Sequence, residues 1–113
     1  GEILTRWTKP DGTQTYLTGF ENHGGFTTLG PDAAPLARVE VGIGNADDGT
    51  EGAVQGRVIG TYPHGPVLAR NPELADHLLH LATGRVLEPL PGPQPEHDGL
   101  RAERMAFVRR TRA

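Results

Sequence analysis

No helical periodicity occurs before Asn71. Up to that point the chain reads as strands joined by turns and loops. The strand segments are short and alternate with the period of a strand. Glu2–Thr8 and Thr13–Phe20 are predicted to pair as a hairpin, because Lys9-Pro10-Asp11-Gly12 between them is strong turn chemistry. Glu21–Gly25 follows as a polar, flexible loop and Pro31–Pro35 as a connection. Arg38–Ile43 places Val39, Val41 and Ile43 on one side of a half-buried strand, and Asn45–Thr50 is a turn. Glu51–Gln55 and Arg57–Tyr62 are predicted as two short strands hinged at Gly56.

From Asn71 the pattern changes. Asn71 suits a helix cap and Pro72 the first helical position. Leu74, Leu78, Leu81 and Ala82 share a face, and Gly84 is placed to end the helix. Residues 88–97 are predicted as a stiff linker, with four prolines between Glu88 and Pro95, leading to a final helix from Asp98 to about Arg110. Its apolar side carries Leu100, Arg104, Phe107 and Val108. The order is therefore strands first and helices last, in a chain of 113 residues sized for a single domain at most. Each strand has one apolar face, and two helices are little cover for all of them. Residues 1–113 are therefore expected to be part of a domain, marginal in isolation, and either to oligomerise or to be disordered in part.

Composition removes several classes of function. There is no cysteine, so disulfides, thiolate metal sites and an internal thiol nucleophile are excluded. Aromatic residues make up 5%, too few for a nucleic-acid stacking platform. No apolar run approaches the roughly 20 residues of a membrane span. Net charge is −3 but uneven: residues 1–100 carry −7, while the last thirteen carry +4 through Arg101, Arg104, Arg109, Arg110 and Arg112 against Glu103. The acidic body argues against a nucleic-acid partner, and the basic end is expected to be a solvated helix face.

Four places hold residues with chemical potential. His64, between Pro63 and Gly65-Pro66, follows the last predicted strand. A neutral imidazole on a rigid turn suits a general base for a partner nucleophile, although the same context also fits a surface histidine. Glu21, Asn22 and His23, flanked by glycines, suit a polar substrate or a metal, although spacing alone favours a polar loop. His77 and His80 lie three apart on a helix and have the spacing to chelate a metal, but they flank its apolar stripe, where histidines commonly sit at the boundary with solvent. Neither His23 nor His64 shows zinc-ligand spacing, and no metal is expected. Gly42-Ile43-Gly44 lacks the third glycine and the following helix of a dinucleotide loop.

Taken together, Gly19-Phe-Glu-Asn-His-Gly-Gly25, Gly42-Ile-Gly-Asn45, Thr50-Glu-Gly52, Val58-Ile-Gly-Thr-Tyr-Pro-His-Gly-Pro66 and Asn71-Pro-Glu-Leu-Ala-Asp76 resemble the C-terminal half of a class I glutamine amidotransferase domain. The similarity is to its cobyric-acid-synthase-like branch, and within that to the glutaminase subunits of lipid II isoglutaminyl synthase. It spans Thr18 to Leu79 in five ordered blocks, and the Arg-rich end is also similar.

The resemblance implies an α/β fold: the C-terminal part of a flavodoxin-like domain, locally strand-rich with two C-terminal helices. It implies a cytoplasmic enzyme that hydrolyses glutamine to glutamate and ammonia. His64 would be the base for a cysteine in the N-terminal half of the same domain, and Glu21, Asn22, His23 and Gly65 its neighbours. Without that cysteine, residues 1–113 alone would be inactive. Ordinary members carry a glutamate two residues after the histidine, where this chain has Pro66. In the similar branch a Mur-ligase-like partner supplies that carboxylate. ATP would belong to the ligase and no cofactor to this chain. Amidation of the lipid II peptide stem in peptidoglycan synthesis is the acceptor reaction implied. Asn22 favours that branch over amidation of cobyrinic or cobyric acid, where the position is usually apolar. A non-catalytic interaction module is the alternative of a different class.

Overall fold

A computed structural model of the chain describes residues 1–88 and 91–112. Pro89 and Leu90, within the predicted Pro-rich linker, and Ala113 lie outside the described residues. Strands β1 (Glu2–Thr8) and β2 (Gln14–Phe20) form the predicted hairpin, with Thr8 opposite Gln14 and Glu2 opposite Phe20. Its turn closes as its residues dictate. Asp11 accepts the Thr13 N–H at 2.9 Å and the Thr13 hydroxyl at 2.6 Å.

Strand β3 (Ala37–Val41) pairs with β1, and the two-residue β4 (Thr50–Glu51) pairs with β3, giving the order β2-β1-β3-β4. Strands β5 (Ala53–Gln55) and β6 (Val58–Gly60) form a separate ribbon. The single strand predicted over Glu51–Gln55 is thus cut in two at Gly52, whose φ of +71° turns the chain out of the first sheet. Every strand pair among the described residues is antiparallel.

Three helices follow among the described residues where two were predicted: α1 (Val67–Arg70), α2 (Pro72–Thr83) and α3 (Pro95–Arg112). Helix α3 starts at Pro95, inside the predicted linker, because proline needs no N–H partner in a first turn. Asn71 does not cap α2 with its side chain. Its amide instead pairs with edge strand β2, accepting the Thr18 N–H and donating to the Thr18 carbonyl, both at 2.8 Å, and donates to Val67 O at 2.7 Å. A side chain thereby replaces the missing neighbour strand.

The pleat sorts the sheet into two faces. Odd-numbered residues of β1 and β2 face α2: Trp7 lies 5.4 Å from the His77 ring, and Thr15 bonds Glu73. Trp7, Leu17, Leu36, Ala37 and Leu74 form the core there, with Val54 and Ile59 of the ribbon and Val67 against it. Even-numbered residues face α3, where Arg104 meets Glu2 at 2.8 Å and Val108 is fully buried. The apolar residues of β1 and β2 are covered, since Ile3, Leu4, Trp7 and Leu17 are all at most 4% exposed, whereas Ile43 after β3 and Val58 of β6 stay exposed. The ribbon folds over the core rather than extending the sheet, which supplies cover that two helices alone would not.

Helix α3 also corrects its predicted stripe. Leu100 and Phe107 remain exposed, and the line facing the sheet runs through Arg101 and Arg104, both half-buried, to the buried Val108, at helical spacing. Arg101 donates to Arg70 O at 2.9 Å and to Tyr16 O. Arg109 pairs with Glu40 at 2.7 Å. Arg101 and Arg104 thus tie the helix to the rest of the fold, while Arg109 and Arg110 stay on the solvated face predicted for them.

Candidate active site

His64 is held by the sheet rather than by a free turn. Strand β6 ends at Gly60, yet four residues later His64 donates its N–H to Phe20 O at 2.8 Å and accepts the Phe20 N–H at 3.1 Å. This bridge extends the outer edge of β2 by one residue. Pro63 before it is buried against Gly19, where a Cβ would come within 2.3 Å of the proline Cβ. Only glycine permits that approach. The backbone is thus fixed from both sides while His64 itself stays exposed. Gly65, with φ +91°, then turns the chain into α1. Pro66 stands two residues after His64, at the position where a glutamate was looked for.

Directly after Phe20, Glu21 turns inward. Its carboxylate accepts the Ile43 N–H at 2.6 Å and the Gly44 N–H at 3.0 Å, with His23 Nε2 at 3.2 Å. Burial raises its pKa, but the Gly44 and Ile43 amides and His23 outweigh that and leave it below the usual glutamate value. The Gly42-Ile43-Gly44 segment, too short for a dinucleotide, is a cradle for this internal carboxylate. Gly44 is required there: φ is +72°, and a Cβ would lie 2.2 Å from Thr50 O. His23 presents Nδ1 to Gly25 O at 3.1 Å and Nε2 to Glu21, so both ring nitrogens face acceptors.

A second carboxylate lies deeper. Glu51, at 0% exposure, accepts the Thr61 hydroxyl at 2.9 and 3.0 Å and the Tyr62 N–H at 2.7 Å. Burial pushes its pKa up, and the Glu21 charge adds to this against the Tyr62 and Thr61 bonds. The Tyr62 ring stacks on His23 at 3.8 Å, and its hydroxyl bonds Thr27. Asn45 braces the same corner, donating to Thr50 Oγ1 at 3.1 Å and Gly52 O at 3.0 Å and accepting the Gly52 N–H at 3.0 Å.

The structure thus gathers Glu21, Asn22 and His23 around one pocket of about 180 Å³, with Gly1 and Ile43 completing its wall. His64 and Gly65 do not line it and sit across the Phe20 bridge. His77 and His80 are elsewhere: one ring lies near Trp7, and the other has Nδ1 2.8 Å from Arg85 O. No cluster suited to a metal occurs among the described residues. Sequence reasoning passed over Glu51, Tyr62 and Asn45. The available signal was a charged residue and an asparagine bracketing the turn at residues 45–51. No helix among the described residues is long and apolar enough to cross a membrane.

Residues 2–72 match the model of the CobB/CobQ-like glutamine amidotransferase domain. The chain is 46% identical over 70 residues to the lipid II isoglutaminyl synthase (glutamine-hydrolyzing) subunit GatD of Staphylococcus aureus, covering 61% of this chain and 28% of that protein. It is 45% identical over 73 residues to the Streptococcus pneumoniae protein of the same name, covering 64% and 28%. A probable cobyric acid synthase of Methanosphaera stadtmanae is 48% identical over 52 residues, 45% of this chain and 10% of that one. The chain thus spans just over a quarter of the length of its GatD relatives. The matched segment contains all three loops that meet around Glu21, Glu51 and His64, and on that ground the chain belongs to the CobB/CobQ-like glutamine amidotransferase domain family.

Proposed function

We propose that the chain is the C-terminal part of a glutaminase whose ammonia amidates the peptide stem of lipid II, with His64 as the base. The observation that carries this is the mounting of His64: backbone locked to Phe20, Pro63 packed on Gly19, side chain exposed. A base must be held in place yet reach a group outside its own element. The nucleophile would be a cysteine in the N-terminal half of the domain, docking against this edge.

In the proposed reaction His64 takes the thiol proton and the thiolate attacks the side-chain amide carbon of glutamine. The carbon–nitrogen bond then breaks, and ammonia leaves with the proton His64 carries. Water, activated by the same imidazole, hydrolyses the thioester to glutamate and frees the thiol. A Mur-ligase-like partner would bind ATP and present a carboxylate to His64, the role that Pro66 cannot fill. The setting for such a pair is the cytoplasm, and the isolated chain would be inactive.

Replacing His64 with alanine in the full-length protein should lower glutamine hydrolysis on the order of 10²-fold or more. Activity within a few-fold of the parent would remove His64 from the reaction. The similarity to cobyric acid synthases supports a second acceptor, cobyrinic or cobyric acid. Glutamine-dependent amidation of lipid II with the ligase present, and none of the corrinoid, is the result expected. The reverse preference would assign the corrinoid instead.

A further inference from the structure

Between β6 and the His64–Phe20 bridge, residues 61–63 belong to no strand or helix. The Tyr62 N–H is met by a side chain, the Glu51 carboxylate, and the Thr61 hydroxyl turns to the same group. Burying a carboxylate costs several kcal/mol, and an apolar residue would fill the volume at less cost. Strand β4 is two residues long and turns away at once through Gly52, yet its register sets Glu51 opposite Ala37, fully enclosed. From there the carboxylate reaches the segment that carries His64.

We infer that Glu51 is a positioning residue for His64, holding Thr61 and Tyr62 so that the imidazole meets its reaction partner at a fixed place. The inference rests on His64 being the base. Three supports act on four consecutive residues: Glu51 on Thr61 and Tyr62, Gly19 on Pro63, and Phe20 on His64. The last two fix the chain at and next to His64, and Glu51 fixes how it arrives. The Tyr62 ring, set by the same bonds, lies on His23 and joins this segment to the loop that follows β2. Loss of the carboxylate lets the segment shift by a fraction of an ångström to an ångström. That suffices to cut a proton-transfer rate without unfolding the domain.

The test uses the full-length protein with its partner and a sensitive assay of glutamate release. Glu51→Gln keeps one acceptor oxygen, and Thr61→Val removes only the hydroxyl. Each should lower kcat on the order of 10-fold with KM within about twofold and the melting temperature close to the parent. The deciding comparison is the double variant Glu51→Gln with His64→Ala. If Glu51 acts through His64, its effect disappears once the imidazole is gone, and the double variant matches His64→Ala alone. Losses that multiply would overturn the inference, as would a rise in KM with kcat unchanged. His64→Ala by itself retaining activity would instead sink the base assignment, so the two failures are told apart. Thr61→Val, which leaves the buried charge in place, answers the same question if Glu51→Gln fails to fold.

Discussion

The helix-covered body and the loop end of this molecule are built on different physics. In the body, Trp7, Leu17, Leu36 and Leu74 are held by apolar burial, which is non-directional and forgives small shifts. At the loop end, Glu21 and Glu51 accept particular N–H and hydroxyl donors, and Asn45 both accepts the Gly52 N–H and donates to the Gly52 carbonyl. Such contacts are directional and fail outright when geometry changes. Stability should therefore be concentrated in the body, and precision of placement in the loops.

Substitutions can break or sharpen that division. The largest stability loss is expected for Trp7→Ala, which removes a core ring at 4% exposure and should cost about 3–5 kcal/mol by chemical denaturation. A loss under 1 kcal/mol would show that the body is not the seat of stability. Gly44→Ala comes next. Its conformation alone should cost about 1–3 kcal/mol, with the 2.2 Å approach to Thr50 O in addition. Gly12→Ala, also at positive φ but with nothing within 4 Å, should cost only about 1–2 kcal/mol. Equal costs would mean the Gly44 cradle gives way easily.

The two buried carboxylates sharpen the comparison within the loop end. Glu21 receives two backbone amides and His23 and is held below the ordinary 4.5, whereas Glu51 is pushed above it by burial. The signs for stability are opposite. Glu21 contributes stability above pH 4.5 that is lost as pH falls through its lowered pKa. Glu51 contributes stability below pH 4.5 that is lost as pH rises through its raised one. Carboxyl carbon shifts followed by NMR should show Glu51 titrating above Glu21, and the reverse order would refute the assignment. The smallest effect is expected for Arg109→Ala. Its pair with Glu40 is partly exposed and should leave the denaturation midpoint almost unchanged. A loss as large as that of Gly12→Ala would make the arginine face of α3 a true part of the core.

Much of the fold was legible because it is written locally. The alternation in Glu2–Thr8, the Pro-Asp-Gly turn and the Gly84 stop at the end of α2 each depend on residues a few positions apart. His64 was legible as a candidate for a similar reason, since Pro and Gly beside it mark a rigid turn. Asn71 was misread because capping is its local preference, whereas its amide finds Thr18, 53 positions away, at the open edge of β2. The strand predicted over Glu51–Gln55 failed at Gly52, where periodicity does not report a backbone turn. Arg101 and Arg104 of α3 were misread as solvated because charge alone does not show which acceptors lie opposite, whereas Arg109 and Arg110 do stay exposed.

The sequence by itself determined the β1–β2 hairpin, the order of strands before helices, that no thiol is present, and which histidine sits on a constrained turn. Those properties follow from steric preferences and side-chain period along the chain. Only the tertiary structure decided that Gly42–Gly44 cradles Glu21, that Glu51 reaches the His64 segment, and that α3 docks through arginine. Each depends on a buried polar group finding a partner distant in sequence. That requirement is imposed by the absence of water once the chain has closed around it.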